Sequence, residues 1–183
     1  MVSALASLKV CIVDADSDMR QMIRDALTGM GISQIRECAD SNMAQQLIGE
    51  FDPDLCIYDW ATGPLDALTF VKNVRASESD RQSEMRLIMI TGNADTRRVI
   101  EARNAGVDEF LVKPISLRAL HSRLLTLVDN PRTFVRTSTY TGPDRRRHSR
   151  PFAGPDRRGA DGSVESEQVS EPESRSVASE AAN

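Results

Sequence analysis

Short apolar runs alternate with segments of helical period along the first 130 residues of the chain. The run from Lys9 to Val13 predicts a strand buried on both faces, and it stops at Asp14, Ala15 and Asp16. Met19, Met22, Ile23, Ala26, Leu27 and Met30 then recur at three and four. They predict a helix capped by Ser17 or Asp18 and stopped by Gly31. Residues 32–38 are poorer in apolar side chains and predict an edge strand; Ala44, Leu47 and Ile48 mark a helix opened by Asp40 or Ser41 and running to Phe51. Leu55, Cys56, Ile57 and Tyr58 form the central strand, broken after Asp59 by Thr62, Gly63 and Pro64. A helix through Leu65, Leu68, Val71 and Val74 follows to about Arg75, then a polar loop over residues 76–84. Residues 85–90 and 107–112 predict two more strands. Helices follow each: one from Asp95 closed by Gly106, and one capped by Ser116 with Leu117, Leu120, Leu124, Leu127 and Val128 on one side. The pattern predicts an α/β fold over residues 1–131: a doubly wound, five-stranded parallel sheet with helices on both faces.

The polar residues that end these strands suggest chemistry. In a parallel sheet the strand tips face one edge, where such sheets bind their ligands. Asp14, Asp59, Thr91 and Lys113 each stand at such a tip, so four groups far apart in sequence converge. A lone Asp after a strand is most often a cap or turn former, but capping does not account for the convergence. Carboxylates beside a hydroxyl and an ammonium suit a hard cation such as Mg²⁺ together with a phosphoryl group. A carboxylate nucleophile takes a phosphoryl group as an acyl phosphate.

Beyond Pro131 the periodicity ends and the composition shifts. Residues 132–158 carry eight Arg against two Asp, whereas residues 159–183 carry six acids against one Arg, so the net charge of −4 hides three unlike parts. Tyr140-Thr-Gly-Pro-Asp-Arg-Arg146 recurs as Phe152-Ala-Gly-Pro-Asp-Arg-Arg158, an aromatic-x-Gly-Pro-Asp-Arg-Arg repeat. Residues 132–160 are expected to be a basic tail bearing the two copies, and residues 161–183 an acidic, Ser- and Glu-rich disordered tail. The repeats suit a protein partner engaged by a duplicated motif; the Arg clusters alone would also suit nucleic acid. Cys11, Cys38 and Cys56 fall in predicted strands without metal-ligand spacing and are expected as buried small hydrophobes. No signal-peptide or membrane-helix pattern is found, and the expectation is a cytoplasmic protein.

Residues 8–130 resemble the receiver domain of two-component response regulators. The resemblance lies in Ile12-Val13-Asp14 with Asp18-Met19-Arg20, in Asp59 with Asp66, in Ile90-Thr91, and in Phe110-Leu-Val-Lys113-Pro114. It implies that Asp59 is the phosphoacceptor, Thr91 the switch hydroxyl and Lys113 the phosphate-contacting cation. It further implies that Phe110 is the aromatic that moves with the hydroxyl, and that Asp14, Asp59 and the Ala61 carbonyl hold Mg²⁺. Ala15 stands where the family has a second acid, which leaves Asp16 as the alternative ligand and a weak metal site as the expectation. Thr62-Gly63-Pro64 and Ala67 also depart from the family pattern. The implied role is a phosphorylation-switched signalling module and not an enzyme, served by a histidine kinase or phosphotransfer protein. Its rivals are a scaffold that takes no phosphate and a nucleic-acid-binding adaptor working through the Arg-rich tail.

Overall fold

In the computed structural model, which describes residues 5–63, 65–93 and 95–145, five strands form one parallel sheet. They are β1 (Lys9–Val13), β2 (Gln34–Cys38), β3 (Leu55–Asp59), β4 (Arg86–Thr91) and β5 (Glu109–Val112), in the order β2-β1-β3-β4-β5. The connecting helices are α1 (Ser17–Gly29), α2 (Ser41–Phe51), α3 (Ala67–Arg75), the short α4 (Asp80–Glu84), α5 (Thr96–Ala105) and α6 (Leu117–Asp129). Among the described residues, no helix is long and apolar enough to cross a membrane.

The two-residue period of the strands divides the core into two layers. Val10 and Ile12 of β1 point to one face and pack with Ile23 and Leu27 of α1 and Leu120 and Leu124 of α6. Cys11 and Val13 point to the other and meet Ala44 of α2, Phe70 and Val71 of α3 and Ala102 of α5. Every residue of β3 is buried, as its uninterrupted apolar run predicts for a central parallel strand. Tyr58 stacks on Phe70 with ring centroids 4.2 Å apart, and both are buried. Burying a ring of this size stabilises the fold by roughly 1.5–3 kcal/mol. The three cysteines are free and buried in neighbouring strands of this second layer, Cys11 lying in register with Cys56.

Local chemistry differs from the sequence reading in three places. The cap of α1 is Asp16 rather than Ser17 or Asp18: its carboxylate accepts the backbone N–H groups of Asp18 and Met19. The polar loop expected over residues 76–84 contains α4, capped by Ser79 through the N–H of Gln82. Five residues are too few to print an apolar period, so only the cap and Asp80 in the first turn mark this helix.

The third difference lies beyond Pro131, where the sequence predicts a tail without structure. Instead β6 (Phe134–Arg136) and β7 (Thr141–Pro143) pair antiparallel, and β7 packs against α4. Long-range charge pairing holds the pair down. Arg136 reaches Asp80 at 2.9 Å and Glu84 at 3.1 Å, and Arg132 reaches the buried Glu109 at 3.2 Å. The first repeat therefore begins inside the folded part, and Gly142-Pro143 is strand rather than turn. The second repeat and the acidic segment 161–183 lie outside the described residues.

Beneath the hairpin sits Arg75, at the end of α3 and 4% exposed. Its guanidinium uses all five N–H donors. Nε and Nη2 donate to the Gly106 carbonyl, Nη1 to the carbonyls of Ser83 and Met85, and Nη2 also to Asp108 at 2.9 Å. Burial pulls its pKa below the ordinary value while Asp108 opposes the shift. One side chain thus joins the end of α3, the α4–β4 junction, the end of α5 and the start of β5.

Candidate functional site

The strand tips bring the predicted cluster together. Asp59 is the last residue of β3 and Thr91 the last of β4, while Asp14 and Lys113 directly follow β1 and β5. Backbone hydrogen bonds continue the ladder through these positions, from Asp14 N–H to Cys38 O, Trp60 N–H to Ile90 O and Lys113 N–H to Thr91 O. The tips are therefore held by the sheet itself, not by loop packing. Asp14 is 1% exposed, Asp59 4% and Thr91 3%.

Lys113 Nζ bridges the two carboxylates, 2.8 Å from Asp59 Oδ1 and 3.1 Å from Asp14 Oδ2. Burial pulls the Lys113 pKa down, but hydrogen bonds to Asp59 and Asp14 outweigh it and leave the value raised. Backbone amides hold the other two oxygens: Asp16 N–H donates to Asp14 Oδ1 at 2.9 Å and Ala61 N–H to Asp59 Oδ2 at 3.0 Å. Arg20 steadies the first loop by donating to the Asp14 carbonyl at 2.6 Å and the Ala15 carbonyl at 3.3 Å. Sequence reading gave Arg20 no task, although its place one turn into α1 sets it back over that loop. The hydroxyl of Thr91 is turned onto its own loop, donating to the Asn93 carbonyl at 2.9 Å and accepting the Asn93 N–H at 3.1 Å.

Two of the expected residues stand apart from this cluster. The Asp16 carboxylate is exposed and occupied with capping α1. Phe110 is half-buried on β5 and packs on the core layer of α2, α3 and α5. Thr62, in the turn after Asp59, has a buried hydroxyl oxygen without a partner.

The donor set fits a hard cation, though with few charges. Each of the four oxygens of Asp14 and Asp59 has one hydrogen-bond partner and keeps a lone pair for a metal. Ala61, in the exposed turn after Asp59, brings a carbonyl. Among the described residues, no three His, Cys, Asp or Glu side chains come together as a metal cluster. Two carboxylates and a carbonyl suit Mg²⁺, which keeps several waters, better than a metal needing an all-protein cage.

The receiver-domain pattern of response regulators matches residues 10–125. The chain belongs to the response regulator receiver domain family. It is similar to the chemotaxis protein CheY-3 of Vibrio cholerae, 30% identical over 118 residues that cover 64% of this chain and 89% of that protein. It is also similar to the chemotaxis protein CheY1 of Helicobacter pylori, at 33% identity over 118 residues, 64% of this chain and 94% of that protein. Among solved structures, the chemotaxis response regulator CheY4 of Vibrio cholerae superposes with a TM-score of 0.61 at 25% identity, covering 66% of this chain and 98% of that one. The chain is thus a receiver domain of two-component signalling, a signalling module rather than an enzyme. Receiver domains in general are served by a histidine kinase and typically bind Mg²⁺.

Proposed function

We propose that Asp59 accepts a phosphoryl group from a histidine kinase or phosphotransfer protein, and that the chain then acts through protein–protein contact. The observation that carries this reading is the Lys113 ammonium held between Asp59 and Asp14, at 2.8 and 3.1 Å. An Asp59 carboxylate oxygen forms the new bond to phosphorus as the phosphorus–nitrogen bond of the donor's phosphohistidine breaks. With acetyl phosphate a phosphorus–oxygen bond breaks instead and acetate leaves. Lys113 is already placed to neutralise charge that the transfer brings to the Asp59 oxygens. Thr91 donates its proton to a phosphoryl oxygen once it releases Asn93. Asp14, Asp59 and the Ala61 carbonyl would hold Mg²⁺, which supplies positive charge to the phosphoryl oxygens. Incubation of the full chain with acetyl phosphate and Mg²⁺ should add one phosphoryl group to the intact mass. No gain, with saturating donor and with candidate kinases, would instead make the chain a scaffold.

The missing acid at Ala15 gives a second test. Ala15→Asp adds a charged oxygen beside a site with two, and Mg²⁺ binding should tighten about tenfold, roughly 1.4 kcal/mol. The single Trp of the chain, Trp60, directly follows Asp59 and offers a fluorescence readout. Unchanged affinity would mean that Asp16 leaves its cap and already serves the ion.

The adaptor reading through nucleic acid draws little from the described part of the tail. Arg132 and Arg136 are spent on Glu109, Asp80 and Glu84, and the Arg145 guanidinium lies 3.9 Å from the Tyr140 ring centroid.

A further inference from the structure

The far end of α5 carries a contact that the strand-tip site does not use. Gly106, the left-handed cap of α5 with φ +109°, lies directly against Gly142 of β7. A Cβ at Gly142 would stand 3.0 Å from Gly106 Cα and 2.7 Å from the Tyr140 hydroxyl; a Cβ at Gly106 would stand 3.2 Å from Thr141 O. Positive φ at both positions, +109° and +156°, favours glycine on each side of this close approach. Tyr140 closes the contact by donating its hydroxyl proton to the Pro143 carbonyl at 2.7 Å. Arg145 lies over the Tyr140 ring and reaches the Asn104 carbonyl at 3.5 Å. The first aromatic-x-Gly-Pro-Asp-Arg motif is therefore a clasp on the end of α5.

The near end of α5 starts at the site. Asp95, its cap, lies four residues after Thr91, whose hydroxyl bonds Asn93 in between. A hydroxyl has one proton, so Thr91 cannot donate to a phosphoryl oxygen on Asp59 and keep the Asn93 carbonyl. Along its ten residues the helix buries only Ala102 and Ala105, and its firm attachment is at the far end, where the Gly106 carbonyl accepts Nε and Nη2 of Arg75. Elements with so little buried apolar contact open or shift at low free-energy cost. A rigid helix of about 15 Å thus links a two-position hydroxyl to a contact without slack.

We infer that the β6–β7 hairpin reads the state of the site through α5. The inference rests on Asp59 phosphorylation as proposed above. When Thr91 turns to the phosphoryl group, the Asn93 loop and α5 shift, and Gly106 moves off Gly142. A gap of about 0.5–1 Å forfeits a quarter to a half of such van der Waals contact, so the shift loosens the clasp and exposes the half-buried Tyr140. Coupling of this kind is reciprocal: an opened hairpin must favour the phosphorylated arrangement.

Hydrogen exchange of the full chain, followed by mass spectrometry with and without acetyl phosphate and Mg²⁺, tests this. Intact mass of the same samples reports phosphorylation. The N–H groups of Thr137 and Asp144 close the hairpin, each at 2.8 Å from its acceptor. Peptides spanning residues 133–145 should exchange at least threefold faster in the phosphorylated chain. Thr91→Ala should take the phosphoryl group and show no acceleration. Gly142→Ala should open the hairpin without phosphate and, by reciprocity, bind the phosphoryl mimic beryllofluoride about threefold more tightly. Unchanged hairpin exchange in a chain that carries the phosphoryl group overturns the coupling and leaves the Asp59 reading intact. Acceleration that persists in Thr91→Ala overturns the route through Thr91. A chain that takes no phosphoryl group overturns both readings.

Discussion

Asp59→Asn should remove phosphoryl uptake from acetyl phosphate completely and leave the chain folded. The amide is isosteric, and its one oxygen still accepts one of the two hydrogen bonds, from Lys113 or from Ala61, that the two carboxylate oxygens accepted. It is not a nucleophile toward phosphorus. The β3 backbone pairs with β4 as before, because the register Asp59↔Ile90 involves no side chain. Lys113 keeps Asp14 as partner, so stability changes by no more than about 1 kcal/mol. Intact mass after donor treatment is the measurement. A variant that still gains one phosphoryl group moves the acceptor elsewhere, with Asp14 the next carboxylate to examine. The variant also alters the alkaline limb of stability. In the native chain the hydrogen bonds to Asp59 and Asp14 hold the Lys113 pKa above the ordinary lysine value, against the pull of burial. Its contribution is therefore complete below that value and is lost as pH rises from there through the raised folded pKa. Removing one of the two carboxylates lowers that folded pKa, so the variant has less to lose over the same window.

Arg75→Leu destabilises the fold by about 3–5 kcal/mol, the range for removing one partner of a buried pair. The loss has two parts. Asp108 keeps the Leu87 N–H, at 2.8 Å, but loses its buried counter-charge. The carbonyls of Ser83, Met85 and Gly106 lose their Arg75 donors in a place that water enters only by opening the structure. Arg75→Lys should fall between, since an ammonium has three donors for five contacts and cannot span them in one plane. Urea unfolding gives the result as a shift of midpoint at constant slope. A loss under 1 kcal/mol for Arg75→Leu would show that the carbonyls find other donors and that Arg75 is no keystone.

Much of the fold was legible because parallel sheets print plainly in sequence. Central strands such as β3 are unbroken apolar runs, and the residue that ends each run sits at the ligand-binding edge without further information. That is why Asp14, Asp59, Thr91 and Lys113 could be placed together from spacing alone. What Thr91 bonds was not legible, because a hydroxyl's partner depends on a loop conformation that no period encodes. Asp16 shows the same limit: a cap and a metal ligand call for the same carboxylate, and only the geometry gives it to the helix. The hairpin was missed for a different reason. Phe134, Val135 and Arg136 are too few to alternate visibly, and Gly142-Pro143 carries turn chemistry. Its strands are held by contacts far away in sequence, among them the Phe134 ring 5.5 Å from the Arg75 guanidinium and Arg136 against α4.

The row of thiols across β2, β1 and β3 makes the chain its own reporter of opening. The hydrogen bond to Cys11 and burial both push the Cys38 thiol up, so almost no reactive thiolate forms while the sheet is intact. Cys11 and Cys56 lie between layers of packed side chains with no exposed surface. An alkylating reagent or mild oxidant therefore meets these sulfurs only after the central strands separate. The rate at which all three are trapped together measures whole-sheet opening, whereas release of the hairpin alone leaves them silent.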